Sequence, residues 1–154
     1  MGQTAELISY RFGITREDMD QFSVKSHQAL ARAQDGNHMP SIAPLYANNG
    51  KYFECDNGVR RDSSVANLAK LRPQFDRKYG MVTAGNSSQI TDGACVLLLA
   101  SEEGLEEHGL TPIGKIVDLN WAGLDPKVMG LGPALAVPPM LARHGMSMDQ
   151  VDYW

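Results

Sequence analysis

Apolar residues recur at helical spacing early in the chain, thin out in its middle, and gather into short runs towards its end. Met19, Phe22, Ser26, Ala29, Leu30 and Ala33 follow the helical period and predict a helix from Arg16 to Gln34. Thr15 fits as its cap, with Asp18 three residues on as a short-armed capping-box partner. Ile14 and Met19 hold the two staple positions, and Gly36-Asn37 supplies the stop. Ahead of it, Ala5 to Phe12 reads as a shorter helix capped by Thr4 and ended by Gly13. Between Pro40 and Arg61 turn formers dominate, and Lys51 to Cys55 is predicted as one arm of a hairpin. Ser63 or Ser64 caps a short helix through Leu71, which Pro73 ends.

The second half changes character. Met81–Ala84, Ala94–Ala100 and Ile113–Asn120 read as strands, the second of them buried on both faces. Ser101-Glu102-Glu103 opens a helix that Gly109 closes. Pro138 or Pro139 suits the first helical position of a helix running through His144 to Gly145. Ser147 caps one more short turn, and Val151-Asp152-Tyr153-Trp154 begins another strand. Strands alternating with helices predict α/β layering. A strand needs a neighbour for its backbone groups, so a sequence ending on one is expected to be cut from a larger domain.

Composition narrows the class. At 154 residues the chain is one domain or a piece of one. With 43% hydrophobic and 21% charged residues it is globular rather than disordered. Lys and Arg number 14 against 18 Asp and Glu, which lacks the basic excess of a nucleic-acid binder. The longest apolar run, Ala94 to Ala100, is far shorter than the roughly 20 residues that span a bilayer. No basic-then-apolar leader precedes Ala5, and the two cysteines, Cys55 and Cys95, show no ligand or disulfide spacing. The expectation is a cytoplasmic protein without a membrane span.

Residue chemistry alone gives few sites. His27, His38, His108 and His144 form no metal pattern, and His108 and His144 fall at helix ends where the dipole favours a cation. Cys95 reads as a small core hydrophobe, while Glu54 and Asp56 beside Cys55 disfavour a thiolate. Asn86, Ser87, Ser88 and Asp92 lack the G-x-S-x-G frame of a serine hydrolase. Gly130-Leu131-Gly132 lacks the third glycine of a dinucleotide loop, and Pro133 removes an amide donor. The turn Thr83-Ala84-Gly85-Asn86-Ser87-Ser88 offers thinly shielded backbone and hydroxyls to a ligand, although a plain hydrogen-bonded turn has the same composition. Arg60, Arg61, Lys70 and Arg72 form a basic span that can meet an anion or simply face solvent.

Taken in order, several segments resemble the thiolase family. They are Met1-Gly2-Gln3-Thr4-Ala5-Glu6, Leu68-Ala69-Lys70-Leu71-Arg72-Pro73 with Phe75, Val82 to Ser88 followed by Thr91-Asp92-Gly93-Ala94, and Asp125-Pro126-Lys127-Val128-Met129-Gly130-Leu131-Gly132-Pro133. The resemblance implies a layered α/β fold represented only in part. Residues 1–80 match part of the N-terminal half and loop domain; 81–154 match the loop domain's end and the start of the C-terminal domain.

The resemblance also implies an acyltransferase acting on 3-ketoacyl-CoA, with coenzyme A or acyl-CoA as substrate rather than a resident cofactor, and a homodimer or homotetramer. In the family a cysteine nucleophile, activated by a histidine, takes the acyl group, and a second cysteine handles the acetyl carbon's proton. By family order all three lie outside these residues, so no catalytic residue and no metal ligand is assigned here, and the chain is expected to be inactive alone. CoA contacts carry over instead. Ser88 matches the serine that bonds the pantetheine arm, and Ala84 and Gly85 match the backbone beside it. Arg60 falls where an arginine reaches the nucleotide end, Asn67 aligns with a contacting serine, and Phe75 matches an aromatic beside CoA. Met1 and Met129 match methionines of the acyl-thioester pocket. Asp56-Asn57-Gly58-Val59-Arg60 leans towards the degradative, fatty-acid-oxidation type. A non-catalytic CoA-binding module and a structural or dimerisation domain are the competing readings.

Overall fold

In the computed structural model, which describes residues 1–154, three α-helices open on a side-chain cap, at Thr15, Ser64 and Ser101. Helix α1 (Gly2–Phe12) starts three residues earlier than the expected Thr4 cap allows. The Thr4 hydroxyl donates to the Met1 carbonyl at 2.6 Å instead of accepting from an amide, so Thr4 lies inside the first turn. Gly13 ends the helix in the left-handed region (φ 66°), where a Cβ would be strained. Helix α2 (Arg16–Asp35) carries the expected box: the Asp18 amide donates to Thr15 Oγ1 at 3.1 Å, and the Thr15 amide donates to the Asp18 carboxylate at 2.9 Å. Strands β1 (Leu45–Tyr46) and β2 (Tyr52–Phe53) make the predicted hairpin, antiparallel with Tyr46 opposite Tyr52. Helix α3 (Val65–Leu68) is capped by Ser64, which accepts from the Asn67 amide.

The chain divides into two units, Met1–Gln89 and Ile90–Trp154. The first unit buries Val24, Leu68 and Val82, and with them the polar Ser9, Asp20 and Thr83. The buried face of α2 is therefore centred on Asp20 and Val24, a turn apart, and not on the apolar positions Phe22, Ser26 and Ala29, which face outward. Phe22 is 75% exposed and lines an open groove of about 320 Å³ with Ile14, Asp18, Met19 and Asn86.

The second unit holds α4 (Glu102–His108), capped by Ser101 and closed by Gly109, and α5 (Gly132–Arg143). Helix α5 starts six residues before the expected Pro138, directly after a 3-10 segment, Pro126–Leu131. Pro133 occupies its first turn, where the missing amide costs nothing, while Pro138 and Pro139 lie inside it. Asn120 Nδ2 donates to the Ala136 carbonyl at 2.6 Å, and Asp118 accepts from Arg143 Nη2 at 2.8 Å and lies 3.0 Å from His144 Nε2.

The expected strands at Met81–Ala84, Ala94–Ala100, Ile113–Asn120 and Val151–Trp154 have no ladder partner within the chain. Val96 is 95% exposed, Leu97–Leu99 are exposed with it, and Cys95, expected as a core hydrophobe, is exposed too. The apolar pattern is that of a buried strand, but ladder bonds need a neighbouring strand, and these residues do not supply one. No helix is long and apolar enough to cross a membrane.

Candidate coenzyme-binding turn

The segment Thr83–Ser88 is built from the inside out. Thr83 is fully buried; its amide donates to Asn86 Oδ1 at 2.8 Å, its hydroxyl accepts from the Gly85 amide at 3.2 Å, and its carbonyl accepts from the Ser87 hydroxyl at 2.7 Å. Asn86 then uses its amide nitrogen twice, donating to the Met81 carbonyl and to Asp20 Oδ1, both at 2.9 Å. Asp20 is 1% exposed, and its other oxygen accepts from Arg16 Nε at 2.7 Å. Arg16 Nη2 continues to the carbonyls of Leu68 (2.6 Å), the last residue of α3, and Leu71 (3.2 Å), in the turn after it. From the other side the Glu6 carboxylate accepts from the amides of Met81 (2.8 Å to the nearer oxygen) and Val82 (3.0 Å). A buried polar group is costly unless it is hydrogen-bonded, and Thr83, Asn86 and Asp20 each have partners here.

This scaffold holds several of the expected site residues near one another. A Cβ on Gly85 would run into the side chains of Leu68 and Leu71, so the glycine is needed for α3 to close on the turn. Asn67 precedes Leu68 in α3. Gln89 Nε2 donates to the Gly58 carbonyl at 2.7 Å, which ties the Arg60 segment to the residue after Ser88. The Arg60 amide donates to His27 Nδ1 at 3.1 Å, leaving its exposed guanidinium outside any ion pair. Arg61, from the same basic span, is already engaged: it meets the Asp35 carboxylate at 2.8 and 2.9 Å and Gln34 Oε1 at 2.9 Å. Lys70 Nζ donates to Asn67 Oδ1 at 3.3 Å. Ser88 is exposed, its hydroxyl within 3.2 Å of the Gln89 carbonyl only. Phe75 packs its ring on Gly2, the residue after Met1. Met129 belongs to the second unit, half exposed in the 3-10 segment.

Pattern reading of the sequence did not assign Glu6, Arg16, Asp20 or the side chain of Asn86. One signal was present for Asp20: four residues before Val24, a carboxylate sits on the face of α2 that is buried. Elsewhere, Asp76 is held below the ordinary carboxylate range by the amides of Tyr79 and Lys78, which closes the turn ahead of Met81.

Comparisons with known proteins place this segment in one family. The family model described as "Thiolase, N-terminal domain" matches residues 1–103, and the chain belongs to the thiolase family. Over its whole length it is 43% identical to a 3-ketoacyl-CoA thiolase of Marinobacter nauticus and 40% identical to one of Hahella chejuensis, covering 41% of each. The chain thus spans about two-fifths of the length of these curated relatives. Among solved structures, Bacillus anthracis acetyl-CoA acetyltransferase matches 99% of the chain at 38% identity and a TM-score of 0.92, with 39% of that protein covered. Human mitochondrial 3-ketoacyl-CoA thiolase in complex with CoA matches 97% of the chain at 33% identity and a TM-score of 0.89, with 38% covered.

Proposed function

We propose that this chain is the CoA-contacting middle portion of a thiolase that cleaves 3-ketoacyl-CoA with CoA to acyl-CoA and acetyl-CoA, or runs the reverse condensation, in cytoplasmic fatty-acid oxidation. Residues 1–80 belong to its N-terminal half and loop domain; 81–154 are the loop domain's end and the start of the C-terminal half. The whole enzyme is a homodimer or homotetramer, and the thiolase neighbour from Saccharomyces cerevisiae is described as dimeric. The observation that carries the reading is the packed turn itself: Ser88 exposed at its end, the glycine-bearing backbone closed on α3, and the uncommitted Arg60 guanidinium tethered nearby through Gln89. A slender pantetheine arm suits thinly shielded main chain with one hydroxyl, and a guanidinium suits a phosphate.

The reaction's nucleophile is not assigned to either cysteine here. Cys55 is exposed between Glu54 and Asp56, and Cys95 is exposed in the unpaired apolar run. Neither makes a hydrogen bond to a histidine, the partner that activates the family's nucleophile. The 154-residue chain is accordingly inactive, and the polypeptide of full family length is active.

Assaying thiolysis of acetoacetyl-CoA by both polypeptides tests this. Activity in the short chain overturns the assignment of the reacting groups elsewhere. In the long one, Ser88→Ala is expected to raise the KM for CoA about three- to tenfold, the effect of one lost hydrogen bond. Unchanged kinetics with CoA and acyl-CoA remove Ser88 from the site.

A further inference from the structure

We infer that Arg16 and Asp20 are positioning residues for coenzyme A: their buried ion pair sets the distance between the two walls of the binding turn. The inference rests on the CoA reading above and deepens it. One wall is the turn Ala84–Ser88, which Asp20 Oδ1 grips through the amide of Asn86. The other is the end of α3 and the turn after it, where the carbonyls of Leu68 and Leu71 both accept from Arg16 Nη2. The bond between Arg16 Nε and Asp20 Oδ2, 2.7 Å long, joins the two grips. The links run from 2.6 to 3.2 Å, and the Asp20 side chain is 2% exposed, so water has little access to replace it.

The geometry constrains what each atom can do. Asp20 spends one oxygen on Asn86 and the other on Arg16, so losing its charge weakens both contacts at once. Asn86 is fixed in turn, since its oxygen accepts from the Thr83 amide and its nitrogen also serves the Met81 carbonyl. Slackening at Asp20 therefore passes to Ala84 and Gly85, whose backbone has no side-chain reach with which to follow a displaced ligand. Neither Arg16 nor Asp20 bonds Ser88, and they act on coenzyme A only through the turn and α3.

The test uses the full-length enzyme and steady-state thiolysis with CoA varied. Asp20→Asn keeps the shape and removes the charge. It is expected to raise the KM for CoA about tenfold, the scale of one charge-assisted hydrogen bond, with kcat within about twofold. Arg16→Lys keeps a cation but cannot reach Asp20 and both carbonyls together, and it is expected to raise the same KM by a smaller factor. If Asp20→Asn does not yield folded protein, Arg16→Lys carries the test alone. The decisive arm is the Asp20→Asn, Ser88→Ala double variant. Action through the turn makes the two effects on KM non-additive, whereas a general loss of stability leaves them additive.

A KM for CoA that stays at the wild-type value while the melting temperature falls overturns the inference, and so does a fall confined to kcat. Failure of the underlying reading looks different: Ser88→Ala alone then leaves the KM for CoA unchanged, and the positioning role falls with it.

Discussion

The two units of this chain solve the same problem with different success. In residues 1–89 the polar groups that leave water, the Ser63 hydroxyl excepted, find partners inside the unit, up to 76 positions apart in sequence, as between Glu6 and Val82. In residues 90–154 the most apolar run, Val96 to Leu99, has no backbone partner and stands in solvent. Both stretches have the composition of an interior. Apolar composition sets the demand for burial, but only complementary hydrogen-bonding partners meet it, because a strand brings its amides and carbonyls with it.

Amide hydrogen exchange gives the widest contrast. In the 154-residue chain the amides of Val96–Leu99 are expected to exchange near their intrinsic rates, while those in the middle of α2 are slowed by a factor of roughly a thousand or more. Equal protection in both places breaks the comparison. Protection of Val96–Leu99 that appears only in the longer polypeptide sharpens it, since neighbouring strands would then supply what these residues lack.

Next in size is Asp20→Ala. It leaves the Arg16 guanidinium and one Asn86 proton without their buried partner, and is expected to destabilise the first unit by about 3 kcal/mol. Urea unfolding followed by exchange at the Thr83 amide reads it. A loss below about 0.5 kcal/mol, within the range of ordinary surface substitutions, shows that water replaces the carboxylate without penalty. Gly85→Ala follows at about 2 kcal/mol, through the clash with Leu68 and Leu71. The same change in the second unit at Gly114, where a Cβ meets nothing, is expected to be silent. If both glycines behave alike, the packing of α3 on the turn is not what holds the first unit.

What was legible in the sequence follows the range of the interactions. The Thr15–Asp18 box, the Ser64 and Ser101 caps and the Gly13 and Gly109 stops reach no more than four positions along the chain, and pattern reading finds them. The start of α5 is equally local but has three prolines to choose from, and the first-turn position belongs to Pro133. The strand segments were legible as apolar runs, yet pairing is a property of the neighbour and not of the run. The least legible part is the support of the candidate site. Asp20 and Asn86 lie 66 positions apart, and nothing in their local sequence says that they meet. The family motif identifies the turn, while the residues that hold it in place come from α1 and α2 and emerge only from the fold.

The smallest effect expected is one of pH, and it probes the second unit where it does close on itself. Asp118 is held below the ordinary carboxylate range, chiefly by the Arg143 guanidinium and then by the Leu119 amide, with His144 adding to both. A carboxyl whose folded value is lowered binds its proton more tightly when unfolded. Its contribution is therefore complete above the unfolded value of about 3.9 and is lost as pH falls through the lower folded value. The contact between residues 118–120 and α5 should thus hold through mildly acidic pH and loosen only below the usual carboxylate range. Asp118→Asn removes that acid-limb dependence, and the exposure of the pair keeps the change small. Melting temperature of the two proteins against pH measures it. Parallel curves throughout the acid limb would show that Asp118 gives the second unit no closure, leaving the first unit alone in holding itself together through buried and paired charge.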